Sequence, residues 1–297
     1  MSMKTCAVVV TYNRLELLKE CLAALLNQSA SVAHVVVVNN NSDDGTTEYL
    51  NQLNDDRLII HNSTKNLGGA GGFSFGLDKA VSSTDDDYFW LMDDDTIVDQ
   101  YCNQALLDKA KKLNDQFGFL AANVRWTDGT PSNVPIPTAD WPMRITEGLV
   151  EISVSTFVAF FVSRANVVKV GLPLAEFFIW QDDVEYCLRV GKLGPSYLVD
   201  QAIAVHKSAS KPGTFLVQND VLARVPRYYY QFRNNMYITR HYHGGKAVRK
   251  MVRVNLIDTI RVFIKAKNHR FKRASTEFRG TIKGLTFEPK VKFVNKN

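Results

Sequence analysis

The chain has 297 residues, 45% hydrophobic and 22% charged, with a net charge of +6. This composition excludes a disordered or fibrous chain and leaves room for one large or two medium domains with a full core. No uncharged apolar run reaches the roughly 18 residues of a membrane-spanning helix. Four cysteines, Cys6, Cys21, Cys102 and Cys187, lie far apart without a C-x-x-C pair. A reduced, cytoplasmic protein without structural zinc is therefore expected.

Residues 4–10 (KTCAVVV) read as a buried first strand, too short an apolar run for a signal peptide. Residues 14–28 have helical spacing, with Leu15, Leu18, Leu22, Leu25 and Leu26 on one side. A second strand at 34–38, a short helix at 46–53 and a third strand at 57–62 follow. Gly68 opens a helix running to about Val81, and 88–92 form a fourth strand. This alternation predicts an α/β fold with a mostly parallel, Rossmann-like central sheet and helices on both faces. Ligands then belong at the carboxyl ends of the strands. Farther on, 119–126 read as a strand and 127–142, with four prolines, as a long loop. Residues 151–163 read as one β stretch, 183–192 as a helix and 197–205 as a strand. Residues 207–220 have the composition of a mobile loop, and 226 to about 267 read as helical.

The fourth strand runs straight into Asp93, Asp94 and Asp95. Adjacent carboxylates repel and raise one another's pKa. Either the cluster splays into water, or Asp93 and Asp95 share a hard divalent cation with positions open to phosphate, leaving Asp94 for a ribose. A second triplet, Asp85 to Asp87, precedes the strand at the wrong end for a ligand and is expected to be solvated. Asn66 and the glycines that follow (NLGGAGG) form a phosphate or sugar cradle including Gly69, or simply pack helix on sheet. Thr11, Asn13 and Arg14 follow strand one and Asn41 follows strand two. They read a base, ribose and phosphate, or cap helices. Asp182 and Asp183 suit a helix N-terminus. With Glu185 and Trp180 beside them they exceed what a cap needs, and a carboxylate desolvated by aromatics is a candidate general base. His206, at a strand end, is structural or offers imidazole to the same cation.

In this order TYNR, NNNS, NLGGAGG, WLMDDD, WQDDVEY and a later histidine resemble the family-2 glycosyltransferases of GT-A fold. Within them the resemblance runs to bacterial galactofuranosyltransferases and rhamnosyltransferases. It implies a catalytic domain over 1–225 and a basic helical region over 226–297. It further implies Mn²⁺ or Mg²⁺ on Asp93, Asp95 and His206, with Asp94 near the donor. Asp183, or else Asp182, would be the base. Thr11, Asn13, Arg14, Asn41, Asn66 and Gly69 would hold the nucleotide sugar, and Trp180 and Glu185 the acceptor. The implied reaction inverts the anomeric centre and moves a sugar, first UDP-galactofuranose, second a dTDP- or UDP-linked hexose such as rhamnose, to a glycan acceptor, lipid-linked in similar enzymes. Loop 207–220 would close over the donor. The sequence departs from many relatives in carrying Asn39, Asn40 and Asn41 where an aspartate is common, and in Gln181.

The segment from Arg240 to Arg273 holds eleven Lys and Arg against one acid, Asp258, which leaves the remainder at −4. Val248, Val252, Leu256, Ile260 and Ile264 share one helical face. A basic amphipathic helix suits an anionic membrane surface, here the inner face of the cell membrane, or packs on the catalytic domain with a solvated charged face. Nucleic acid is not an expected partner, since no nucleic-acid motif accompanies the charge. A dehydrogenase would carry GxGxxG at the first turn, and a nucleotidyltransferase a glycine-rich loop there; the chain has TYNR. A sugar-binding protein would not need a second carboxylate pair.

Overall fold

The computed structural model describes residues 3–208 and 216–294. Its first half is β1 (Thr5–Thr11), α1 (Leu15–Leu26), β2 (His34–Asn39), α2 (Thr46–Gln52), β3 (Leu58–Asn62), α3 (Gly68–Ser83) and β4 (Tyr88–Asp93). These strands lie side by side in the order β3-β2-β1-β4, all parallel. Alternate residues of β1 point to opposite faces. Ala7 and Val9 meet Leu18, Leu22 and Leu25 of α1, while Cys6, Val8 and Val10 meet Phe73 and Leu77 of α3. Each such leucine, fully buried, contributes about 1.5–3 kcal/mol. α3 can lie close because Gly72 and Gly76 face Val10 and Val8, where a Cβ would sit within 2.6 and 2.5 Å of a valine methyl.

The second half is β5 (Thr96–Val98), α4 (Cys102–Lys112), β6 (Leu120–Trp126), β7 (Ile136–Pro137), β8 (Leu149–Val154), β9 (Phe160–Ser163), α5 (Arg164–Val170), α6 (Asp182–Val190) and β10 (Ser196–His206). Here the sheet is mixed. β9 runs antiparallel between β4 and β6, and β10 is parallel to β6. β8 and β5 share the other edge of β10, pairing with its beginning and its end. The expected single β stretch over 151–163 is thus two strands in different places. Ala159, at φ 61°, turns the chain between them. All four cysteines are buried thiols.

α7 (Arg227–Ile238), a π turn at Thr239–His243, α8 (Gly244–Lys265) and α9 (Arg270–Gly284) follow. The expected unbroken helix from 226 is interrupted at Gly244, whose φ is 75°. α7 packs on the body: Tyr237 and Ile238 join Ala70, Leu174 and Phe177 in one apolar cluster. The chain end returns too, with Leu172 N–H donating to the Lys292 carbonyl at 2.8 Å. Half of the expected lid, 209–215, lies outside the described residues.

The second acidic triplet corrects an expectation. Asp86 is fully buried, not solvated, with Oδ2 2.7 Å from His34 Nδ1. Its carbonyl accepts from Arg164 Nε at 2.6 Å, and Asp87 Oδ2 accepts from the Lys4 N–H at 2.8 Å. Asp85, paired with Lys4, and Asp87 are exposed as expected. The triplet fastens the starts of β1 and β4 together.

Candidate active site

In the order β3-β2-β1-β4 the chain reverses its direction of travel across the sheet between β1 and β4, and the crevice beyond their carboxyl ends is where open α/β sheets bind ligands. Thr11 ends β1 and Asp93 ends β4, and the two strands are in register with Val10 opposite Asp93. Thr11 Oγ1 donates to Asp94 Oδ2 at 2.7 Å, and the Tyr12 N–H reaches the same oxygen at 3.3 Å. Arg14 Nη1 donates to Asp94 Oδ1 at 3.2 Å and also to Asp95 Oδ2. Asp94 and Asp95 are buried, so the half-exposed guanidinium holds two desolvated carboxylates at the rim.

β5 supplies the other wall. Its antiparallel pairing sets Thr96 opposite His206 at the end of β10. His206 Nε2 is thereby 3.1 Å from Asp95 Oδ1, and Lys207 N–H donates to the Asp95 carbonyl at 2.8 Å. Asn133, from the proline-rich loop, places its Oδ1 2.8 Å from His206 Nδ1. Such an outer partner fixes ring orientation. Sequence reasoning missed Asn133 and β5; the run Thr96-Ile97-Val98 was their only local signal. Arg227, on the first turn of α7, was missed as well. Desolvation and the guanidiniums of Arg224 and Arg14 lower its pKa.

The three carboxyls respond differently to crowding. Burial, then Asp95 and Asp94, push Asp93 well above the usual range. Burial raises Asp94 to about 6 against the pull of Arg14 and Thr11. Burial opposes charge on Asp95 as well, but His206 and Arg14 outweigh it and hold its pKa low. Among the described residues no three His, Cys, Asp or Glu side chains form a ready-made metal cage. Yet Asp95 Oδ1 is buried and makes no hydrogen bond there, with only His206 Nε2 beside it. A buried carboxylate oxygen that faces an imidazole and makes no hydrogen bond fits a cation whose other ligands come from elsewhere. Mg²⁺ in particular is commonly held by one or two carboxylates plus substrate phosphates.

Of the other expected donor residues, Asn13 and Asn41 both have positive φ, 53° and 64°, in turns beyond β1 and β2. Asn13 Oδ1 accepts from the Asp43 N–H at 2.9 Å, which ties those turns together. Asn39 and Asn40 are structural. Asn39 donates to Thr47 and Asn62, and Asn40 brackets the glycine turn, donating to the Gly68 carbonyl and accepting from the Leu67 N–H. Asn66 Oδ1 accepts from the Gly68 N–H at 2.7 Å, a local turn. Gly68 itself is required: its φ is 72°, and a Cβ would strike the Phe178 carbonyl. Gly69 opens onto empty space.

α6 begins at the second acidic group. Asp182 is buried and Asp183 partly so. Burial, then Asp183, push Asp182 to about 8, and burial pushes Asp183 to about 6. Both carboxyls are raised, Asp182 further because Asp183 lies beside it. Asp183 Oδ1 accepts the Val184 N–H at 2.7 Å. Trp180 sits edge-on to Tyr228 at 5.3 Å and is partly buried. Glu185 is not brought to the open site. It is buried, ion-paired with Arg189 at 2.8 Å, and accepts from the Tyr242 hydroxyl at 2.8 Å.

A parallel β3-β2-β1-β4 sheet continued by a mixed half, with an acidic group at its switch point, defines a GT-A-like α/β fold. The sequence model of Glycosyl transferase family 2 matches residues 6–152, from β1 into β8, and this stretch belongs to that family. The galactofuranosyltransferase GlfT1 of Mycolicibacterium smegmatis (strain ATCC 700084 / mc(2)155) is 40% identical over 90 residues, 30% of this chain and 29% of that protein. The galactofuranosyltransferase GlfT2 of the same strain is 28% identical over 167 residues, 47% of this chain and 26% of that protein. The matched stretches thus span less than a third of either relative.

Proposed function

We propose that the chain transfers a hexose, first galactofuranose from UDP-galactofuranose, to a hydroxyl of a glycan acceptor with inversion. The observation that carries this reading is Asp95, buried between Arg14 and His206 at the carboxyl ends of β1 and β4. Asp95 and His206, with Asp93 beside them, would hold Mn²⁺ or Mg²⁺. The ion, when bound, neutralises the diphosphate leaving group. Arg14 adds a fixed positive charge at the rim, and Thr11 and Asp94 orient the donor. Asp183 takes the proton from the acceptor hydroxyl as that oxygen attacks the anomeric carbon. One displacement inverts the centre, so no enzyme nucleophile is needed. The two relatives named galactofuranosyltransferases favour galactofuranose over a dTDP- or UDP-linked rhamnose or glucose. The test is release of UDP from UDP-galactofuranose. It is expected only with acceptor and divalent ion together; release independent of acceptor counts against transfer.

The acceptor is lipid-linked in this reading, and the enzyme works at the cytoplasmic membrane surface. Among the described residues no helix is long and apolar enough to cross a membrane. α8, however, leaves an apolar face outside, with Ile260 62% and Ile264 64% exposed, and Phe271 of α9 is 78% exposed. Arg249 and Arg253 line the same groove as Val252, Leu256 and Ile260. Basic charge around an apolar face matches anionic lipid. The double substitution Ile260→Ser and Ile264→Ser is expected to reduce flotation with phosphatidylglycerol vesicles at least tenfold while leaving transfer to a soluble acceptor intact. Unchanged flotation removes the membrane from the reading.

A further inference from the structure

Between the 3₁₀ turn Ala175–Phe177 and α6 the backbone is forced into an unusual path. Phe178 has φ 65° and ψ −58°, and Ile179 N–H donates to the Phe177 carbonyl at 2.7 Å. That is a γ turn of the rare, strained hand. Trp180 and Gln181 follow at φ 65° and 72°. Each such non-glycine residue is strained and persists only where its surroundings over-determine it. The strain stands immediately before Asp182 and Asp183.

What over-determines it comes from α7. Asn234 is fully buried, and its Nδ2 lies 3.0, 3.3 and 2.9 Å from the carbonyls of Phe177, Ile179 and Trp180. Its Oδ1 accepts from Arg233 Nε at 3.0 Å, and Arg233 Nη2 donates to the Glu176 and Phe177 carbonyls at 2.6 and 3.2 Å. Phe178 stacks on Tyr230 at 4.9 Å. On the opposite side the Phe178 carbonyl accepts the Ala70 N–H at 3.2 Å, from the first turn of α3. The turn is therefore gripped between the donor-side glycine turn and α7.

We propose that Asn234 is a positioning residue for the Asp182–Asp183 pair: its amide holds the strained turn in the shape from which α6 presents those carboxylates to the acceptor. This rests on the reading of Asp183 as base. An amide suits the task because its two N–H groups face a set of converging carbonyls, whereas a carboxylate there would repel them. The consequence is that residues beyond 226, expected to form a separate basic region, complete the catalytic half of the site.

The test compares Asn234→Ala with Asn235→Ala in the full chain. Asn234→Ala is expected to lower kcat for transfer about 100-fold, the effect of a misplaced reacting group, with donor KM within a factor of two. The acid limb of its pH profile should move to lower pH, since a loosened turn lets water reach Asp183. Amide exchange over 177–182 should speed up, and Asn235→Ala should change none of these. Gly68→Ala, which pushes on the Phe178 carbonyl from the other side, should reproduce the kcat loss should Asn234→Ala fold poorly. Unaltered exchange over 177–182, or a normal kcat and acid limb per folded molecule, overturns the proposal. Asp183→Asn assayed alongside separates the failures: if it keeps full transfer the base assignment falls, and if it alone loses transfer the clamp falls.

Discussion

Asp183→Asn is expected to reduce sugar transfer by about 10²–10⁴-fold, the ordinary contribution of a positioned general base. Nucleotide-sugar binding should survive. Asparagine keeps the side-chain oxygen that accepts the Val184 N–H, so the first turn of α6 need not rearrange. Asp182→Asn should cost far less. Burial and the neighbouring Asp183 push Asp182 up toward its protonated form, so the substitution removes a group whose charge is already disfavoured. The measurement is single-turnover transfer beside isothermal binding of UDP-galactofuranose. Equal loss of binding and transfer in Asp183→Asn would count against the base.

The same burial fixes the sign of the pH dependence. Asp183 is raised to about 6, so the base is protonated and transfer falls as pH drops through about 6. Stability runs the opposite way. Both carboxyls hold protons in the native state that the unfolded chain gives up near its ordinary carboxyl range. Their contribution is full below that range and is lost as pH rises through about 6 for Asp183 and about 8 for Asp182. Asp182→Asn should therefore flatten the decline of stability between pH 4 and 8 more than Asp183→Asn does, as read from urea midpoints.

The parallel half of the sheet was legible because its strands are short apolar runs closed by turn residues, each followed by a helix of clear spacing. One edge of the candidate site was legible for the same reason: Thr11, Arg14 and the Asp93 triplet sit at strand ends, and local order alone puts them together. The rest depends on partners far off in sequence. Asp86 looked like a solvated copy of the first triplet until His34, 52 positions away, was seen to bury it. β5 is three residues long, too short to announce itself, yet its pairing with β10 is what carries His206 to Asp95. The glycine-rich turn was ambiguous between cradle and packing: Gly72 and Gly76 pack helix on sheet, whereas a Cβ at Gly69 would meet nothing. Asn234 could not be found at all from local pattern, because its role is to satisfy carbonyls more than fifty positions away.

Removing the charge of Asp95 should abolish the response to divalent ion without unfolding the protein. Asp95→Asn gives up ion pairs to Arg14 and His206 but also lessens the crowding of Asp93 and Asp94, and Arg14 keeps its contact with Asp94. The native chain with UDP and Mn²⁺ at about 100 times the dissociation constant gains about 2.7 kcal/mol by mass action. For a chain of this size that is a rise in Tm of roughly 5 °C. Asp95→Asn should show the small rise produced by UDP alone, whether or not Mn²⁺ is added, and EDTA should bring the native chain to the same value. Asp85→Asn is the matched control, an exposed member of the triplet at the opposite end of β4. Its ion-dependent rise should be that of the native chain. A full Mn²⁺-dependent rise in Asp95→Asn would place the ion elsewhere and with it the diphosphate. His206→Ala separates the contributions of the two walls. If imidazole completes the shell, that variant loses affinity for Mn²⁺ at every UDP concentration; if His206 only neutralises Asp95, its removal tightens Mn²⁺ binding, because the ion no longer competes with an imidazolium.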